Sequence, residues 1–221
     1  MSDLALALFD VDGTLVDSQG HILASMEQAF RAHGLAQPTR EEILNIVGLS
    51  LPLAMARLSP TADPITLSET YKEAYAELRQ RGDERALSPL YPGIRELLDE
   101  LQAVPELLIG VATGKSRRGL SGLIEAHGLT FLATTQVADD HPSKPHPSMV
   151  LTALLETGVE PARAVMIGDT TYDMQMGRAA GITTIGVTWG YHATSALSPS
   201  ADHMAASAGE LCETIKVALS L

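Results

Sequence analysis

Residues Leu4 to Ser18 read Leu-Ala-Leu-Ala-Leu-Phe-Asp-Val-Asp-Gly-Thr-Leu-Val-Asp-Ser. An apolar run, Leu4 to Phe9, stops abruptly at two carboxylates, Asp10 and Asp12, followed by Gly13 and Thr14. That is the pattern of a buried strand delivering acidic side chains to a surface, and it predicts the catalytic edge of a parallel sheet. Residues two apart on extended chain lie roughly 6.6 Å apart and face the same way, which leaves room for a substrate group between them. Gly13 lets the chain leave the strand direction. Taken alone, Asp12-Gly13 also reads as a turn pair. It is not a calcium loop, because the EF-hand pattern places its glycine sixth, and Gly13 is the fourth residue counted from Asp10.

A chain of 221 residues can form one large domain or a domain carrying a smaller insert. Its net charge of −12 argues against a nucleic-acid surface and means that any anionic ligand needs local cations or a metal. Cys212 is the one cysteine, so no intramolecular disulfide is expected; a packed thiol in a reducing cytoplasm is. The N-terminal apolar run is too short for a signal segment or a membrane span, and no basic segment precedes it. No membrane partner is expected.

After Asp17 helical periodicity takes over. Ile22, Met26, Ala29, Phe30 and His33 mark a helix between Ser18 and Gly34. Thr39 and Glu42 make a capping box for a second helix ending near Gly48, Pro52 can start a third, and Ser68 to Arg81 is a charged fourth. From Pro92-Gly93 onward the chain alternates: helix 93–103, run Leu107 to Thr113, helix 116–127, a weak run near Phe131, helix 146–157, run Ala164 to Gly168, helix 171–180, run Thr183 to Val187. Such alternation predicts βαβ units and a parallel sheet, with residues 17–87 inserted after the first strand. Ligands of open α/β sheets sit beyond the carboxyl ends of strands, where Asp10, Asp12, Thr113, Gly114, Gly168 and Asp169 all fall.

Thr113-Gly114-Lys115-Ser116 offers a hydroxyl and backbone N–H groups where a helix N-terminus favours an anion, although Thr113 or Ser116 could equally cap that helix. Its Gly-Lys-Ser tail matches a P-loop, but that motif needs a glycine where Ile109 stands. Lys144 lies in Ser143-Lys144-Pro145-His146-Pro147, a stiff segment suited to fixing a cation on a phosphate; the alternative is an ordinary surface lysine. His141 and His146 read as solvated loop residues and not as a metal pair. Asp169 and Asp173, four apart at a helix start, share one face, where the helix dipole also favours them. With Asp10 and Asp12 they make an oxygen-rich cluster suited to Mg²⁺.

Asp10-Val-Asp-Gly-Thr14, Thr113, Lys144 and Gly168-Asp169 with Asp173 resemble, in order and spacing, the four motifs of the haloacid dehalogenase superfamily. The inserted segment resembles its small helical cap. Asp-Gly-Thr-Leu-Val-Asp-Ser, Ala-Gly-Ile and Trp-Gly-Tyr-His are most similar to phosphoglycolate phosphatase-like members. The resemblance implies a three-layer Rossmann-like α/β core with a parallel sheet, residues 1–16 and 88–221, plus an all-helical cap, residues 17–87. It implies an Mg²⁺-dependent phosphatase of a small phosphorylated metabolite. Asp10 would be the nucleophile that becomes an aspartyl phosphate, and Asp12 the general acid and base. The metal would be held by Asp10, the backbone carbonyl of Asp12, and Asp169, with Thr14 and Asp173 in support. Thr113, Gly114 and Lys144 would grip the phosphoryl group. Gly114 departs from the pattern, where many relatives carry Asn. Gly48-Leu49-Ser50-Leu51 and Arg57 resemble the cap loop that faces the site. The same motifs fit a sugar phosphomutase of the β-phosphoglucomutase kind, and a non-catalytic binding module keeps the fold as well. A monomer or a dimer is compatible with the sequence.

Overall fold

The computed structural model describes residues 4–82 and 88–221. Among the described residues, strand β1 (Ala5–Phe9) is followed by four helices, α1 (Gln19–Ala32), α2 (Arg40–Ile46), α3 (Leu51–Leu58) and α4 (Pro64–Arg81). Alternation then begins: α5 (Ile94–Gln102), β2 (Leu107–Thr113), α6 (Arg117–His127), β3 (Thr134–Val137), α7 (Ser148–Thr157), β4 (Ala164–Gly168), α8 (Thr171–Ala179), β5 (Thr183–Val187), α9 (Thr194–Leu197), β6 (His203–Ala205) and α10 (Ala208–Leu219).

The six strands form one parallel sheet in the order β3-β2-β1-β4-β5-β6. Strand β1 pairs on both edges, Phe9 lying opposite Val111 of β2 and Ile167 of β4. With both edges and both faces covered, a strand has no use for polar side chains, and all five β1 residues are fully buried. Ala5, Ala7 and Phe9 face a cluster with Leu97 and Leu101 of α5, Leu120 of α6 and Ile215 of α10. Leu6 and Leu8 face the opposite cluster, with Met149 and Ala153 of α7 and Met176 of α8. Helices therefore cover both faces of the sheet, the expected three-layer α/β architecture. The connection from β3 to β4 passes to the other side of β1, so the strand order reverses between β1 and β4 and leaves a crevice at their carboxyl ends.

Helices α1 to α4 pack around a core of their own, in which Ile22, Met26 and Phe30 of α1 meet Ile43 and Leu44 of α2, Met55 of α3 and Leu67 of α4. Thr39 and Glu42 form the expected capping box. Helix α4 starts at Pro64, capped by Asp63, earlier than the periodicity from Ser68 suggests, because proline suits a first helical turn. The weak run near Phe131 becomes a strand only at Thr134. Its buried Thr134 and Gln136 are satisfied by Glu156, so hydropathy does not reveal it. Strand β6, three residues with His203 exposed, carries no periodic signal and was not expected. Helix α7 starts at Ser148 instead of 146, because Pro147 stands at its N-cap. Of the expected boundaries, residues 1–3 of the core and 83–87 at the end of the insert lie outside the described residues.

Candidate active site

Asp10 continues β1 by one residue, its N–H donating to Ile167 O at 2.8 Å. Asp169 follows β4 directly, so the two carboxylates meet across the β1/β4 crevice. Gly13 makes their approach possible: its φ is +85°, and a Cβ there would overlap the Asp169 carboxylate. Thr14 Oγ1 donates to Asp169 Oδ1 at 2.9 Å, and the Tyr191 N–H to Oδ2 at 2.8 Å. Asp173 sits in the first turn of α8, where its Oδ2 accepts from the N–H and Oγ1 of Thr170 in a capping box. Asp173 caps its helix while its Oδ1 turns to Lys144 Nζ at 2.6 Å. One carboxylate oxygen from each of Asp10, Asp169 and Asp173 lies within 4.8 Å of the others.

Lys144 is no surface residue; it is fully buried, with Nζ also 3.0 Å from Asp10 Oδ1. Burial pulls its ammonium down, but Asp10 and Asp173 outweigh burial and hold it charged, above its ordinary pKa. Burial drives Asp10 up to about 7, with Lys144 opposing and Asp173 adding. The Asp169 carboxyl is held well above the ordinary range, by burial first and then by Asp173 and Asp10. Both carboxylate oxygens of Asp10 are buried; Oδ1 faces Lys144 Nζ at 3.0 Å and Oδ2 has no hydrogen-bond partner among the described residues. Three converging buried carboxylates, Asp10 among them with no hydrogen bond to its Oδ2, against a single lysine, fit a hard divalent cation with oxygen ligands.

The Asp12 side chain points elsewhere. Its Oδ1 accepts from Lys115 Nζ at 2.7 Å and from Ser18 Oγ, which in turn lies 3.2 Å from Tyr191 OH. Among the expected metal-site residues, then, the carboxylate of Asp12 alone is absent from the convergence. Thr113 is buried at the end of β2 and its Oγ1 accepts from the Lys115 N–H at 3.2 Å, whereas Ser116 caps α6 through Gly119. Gly114 has a local reason: a Cβ there would stand 2.8 Å from Gly48 O and 2.9 Å from Leu49 O, so the insert's loop descends onto the sheet edge where a side chain would block it.

Between the insert and the sheet edge lies a cavity of about 1010 Å³. Asp10, Asp12, Thr113, Gly114 and Lys115 line it from below, and Gly48 to Leu51, Tyr71 and Tyr75 from the insert. Lys144, Asp169 and Asp173 are fully buried and do not line it. Arg57 does not reach it; its guanidinium donates to Tyr172 OH at 2.8 Å and lies over that ring. His141 is half-buried and tied to Gln136 and Ser148, while His146 is exposed. Sequence reasoning gave no site role to Lys115, Ser18 or Tyr191. The signal for Lys115 was its place directly after Thr113-Gly114; the other two arrive from distant turns.

The model of the haloacid dehalogenase-like hydrolase family matches residues 7–187. The chain is 35% identical over 198 residues to a probable phosphatase, IndB, of Dickeya dadantii, covering 87% of this chain and 84% of that protein. It is 28% identical over 228 residues to a phosphoglycolate phosphatase of Vibrio parahaemolyticus, covering 97% of each. Among solved structures, a putative β-phosphoglucomutase from Bacteroides vulgatus superposes with a TM-score of 0.81 at 25% identity, over 100% of this chain and 92% of that one. The carboxylate convergence, the buried lysine and these likenesses agree, and the chain belongs to the haloacid dehalogenase-like hydrolase family, as an enzyme of its phosphatase class.

Proposed function

We propose that this chain is an Mg²⁺-dependent phosphatase of a small phosphorylated metabolite, phosphoglycolate-like in kind, working through an aspartyl phosphate on Asp10 under a cap formed by residues 17–87. The observation that carries this reading is Asp10 itself, a buried carboxylate at the cavity floor that converges with Asp169 and Asp173 and has no hydrogen-bond partner for its Oδ2 among the described residues. Asp10, the backbone carbonyl of Asp12 and Asp169 would hold the metal, with Thr14 and Asp173 supporting Asp169 and Lys144. When bound, Mg²⁺ supplies charge that offsets the repulsion between carboxylates and a phosphate dianion.

The remaining work falls to the chain. Thr113, the Gly114 N–H and Lys144 hold the phosphoryl oxygens. An Asp10 oxygen attacks phosphorus as the ester P–O bond breaks, and Asp12 gives its proton to the departing oxygen. Water then attacks phosphorus, Asp12 takes its proton, and the Asp10–phosphorus bond breaks to release phosphate. The cap excludes bulk water from both steps. The test is phosphate release from a panel of phosphorylated metabolites, with and without Mg²⁺, beside Asp10→Asn. Release that needs both Mg²⁺ and Asp10 supports the reading; release that survives Asp10→Asn refutes it. The likeness to a putative β-phosphoglucomutase favours one rival, in which a second sugar hydroxyl takes the phosphoryl group in place of water. Isomerised sugar phosphate without free phosphate would establish that rival.

A further inference from the structure

Two buried lysines stand at this site, and the mechanism above uses one. Lys144 is locked between two carboxylates with no exposure. Lys115 is placed differently, since it lines the cavity and spans the gap between sheet edge and insert. Its Nζ donates to Asp12 Oδ1 at 2.7 Å and to Tyr75 OH of α4 at 3.3 Å, and it sits 5.3 Å from the centre of the Tyr75 ring. Tyr75 is in turn backed by the His21 ring, stacked at 3.5 Å, with His21 Nε2 3.0 Å from Tyr75 O. An ammonium has three donors, and among the described residues the third has no acceptor.

The arrangement restrains Asp12. A carboxyl that must deliver a proton to a departing oxygen is here hydrogen-bonded to Lys115 and Ser18 and turned from Asp10's partners. A lysine held there only for packing would be a poor choice, because a buried ion pair seldom outperforms apolar residues of the same size. Of the other cations along the cavity, Lys72 pairs with Glu69 at 2.8 Å, Arg79 reaches Arg118 O, and Arg118 lines it from α6, whereas Lys115 is the one hydrogen-bonded to Asp12 among the described residues. In a protein of net charge −12, Lys115 is the cation on the cavity wall beside Asp12 that a second anionic group of the substrate would meet.

We propose that Lys115 positions Asp12 and is also the counter-cation for a second anionic group on the leaving portion of the ester, so that a substrate carrying such a group draws the ammonium off Asp12 and frees it for proton transfer. This rests on the phosphatase reading and narrows it to esters with a carboxylate or further phosphate near the ester oxygen. Neutral alcohols of equal size leave Lys115 on Asp12 and react slowly.

The test pairs a carboxylate-bearing ester, phosphoglycolate, with a neutral one, 2-hydroxyethyl phosphate, on the Mg²⁺-loaded full chain, wild type against Lys115→Met and Lys115→Arg. Loss of a charge-assisted contact should raise KM for phosphoglycolate by about 10- to 100-fold more than KM for the neutral ester in Lys115→Met, so that the wild-type preference in kcat/KM for the carboxylate-bearing ester is lost whatever the change in kcat common to both. Lys115→Arg should keep the preference. Calorimetry with phosphonoacetate against ethylphosphonate reads recognition without turnover, and there too Lys115→Met should erase the preference. A merely structural lysine would lower both esters together, and that result, or a preference that survives Lys115→Met, overturns the proposal. If Lys115→Met does not fold, Lys115→Gln removes the charge while keeping a donor, with the same expected and refuting results. Wild type that hydrolyses neither ester overturns the release of Asp12, while the metabolite panel with Asp10→Asn decides the phosphatase reading separately; calorimetry then decides the counter-cation role alone, upheld if the preference falls and overturned if it stays.

Discussion

Replacing Asp10 by Asn should abolish phosphate release and yet stabilise the metal-free protein. In the folded state burial lifts the Asp10 carboxyl from the ordinary 3.8 to about 7. A carboxyl raised in this way is protonated in the native state over a pH range where the unfolded chain has already lost the proton, so wild-type stability falls as pH rises from about 4 to about 7 and stays low above. At about 1.36 kcal/mol per unit the shift corresponds to about 4 kcal/mol at pH 8, shrinking to about 0.5 kcal/mol at pH 4. Asn carries no charge to bury. Lys144 loses one partner but keeps Asp173 at 2.6 Å, so the net gain at pH 8 is set lower, at about 2 kcal/mol. For a domain of this size that is about 4–8 °C in Tm. The assay is urea and thermal unfolding in chelator at pH 5 and pH 8, wild type beside variant. A variant less stable than wild type at pH 8, or a gain of equal size at both pH values, would refute the reasoning.

Mg²⁺ should bind more tightly as pH rises through about 7, because the ion must displace protons from Asp10 and from Asp169, both raised; calorimetry at pH 6 and pH 8 should show about tenfold per pH unit for each proton released. Gly114→Ala should push away the loop carrying Gly48 O and Leu49 O, which a new Cβ would meet at 2.8 and 2.9 Å, with an overpacking penalty of about 1–3 kcal/mol read as lower kcat/KM with little loss of Tm. Gly13→Ala combines a φ of +85° with overlap of the Asp169 carboxylate, and should weaken Mg²⁺ binding measured directly as well as the fold, by about 1–3 kcal/mol.

Much of this protein is legible in order along the chain. The run Leu4 to Phe9 had to be a strand buried on both faces, because no amphipathic pattern interrupts it, and its ending in Asp10 and Asp12 placed the acids at a sheet edge. Capping chemistry is local, so Thr39 with Glu42 marked α2, and alternation of apolar runs with helices announced the parallel sheet. Strand β6 escaped because three residues, running from exposed His203 to buried Ala205 and paired with β5 alone, carry no periodicity. The site divides the same way. Motif spacing named Asp10, Thr113, Lys144, Asp169 and Asp173, since each stands at a strand end, a helix start or, for Lys144, a proline-stiffened loop that the chain itself defines.

What sequence reading missed depends on distance in space. Lys115 reaches Asp12 across 103 positions and Tyr191 reaches Ser18 across 173, contacts made only once the strands fix which loops are neighbours. Arg57, on a helix that resembles the facing loop, turned to Tyr172 because the rotation of α3 on its own core decides which face meets the cavity. The sequence by itself determined the chemistry available, four carboxylates and Lys144 at strand ends, a helix start and a stiff loop, because residue type and local backbone suffice for that. Only the tertiary structure decided which carboxylates converge and which one is held apart by Lys115, because side-chain direction at a shared edge is set by packing between segments far apart in the chain.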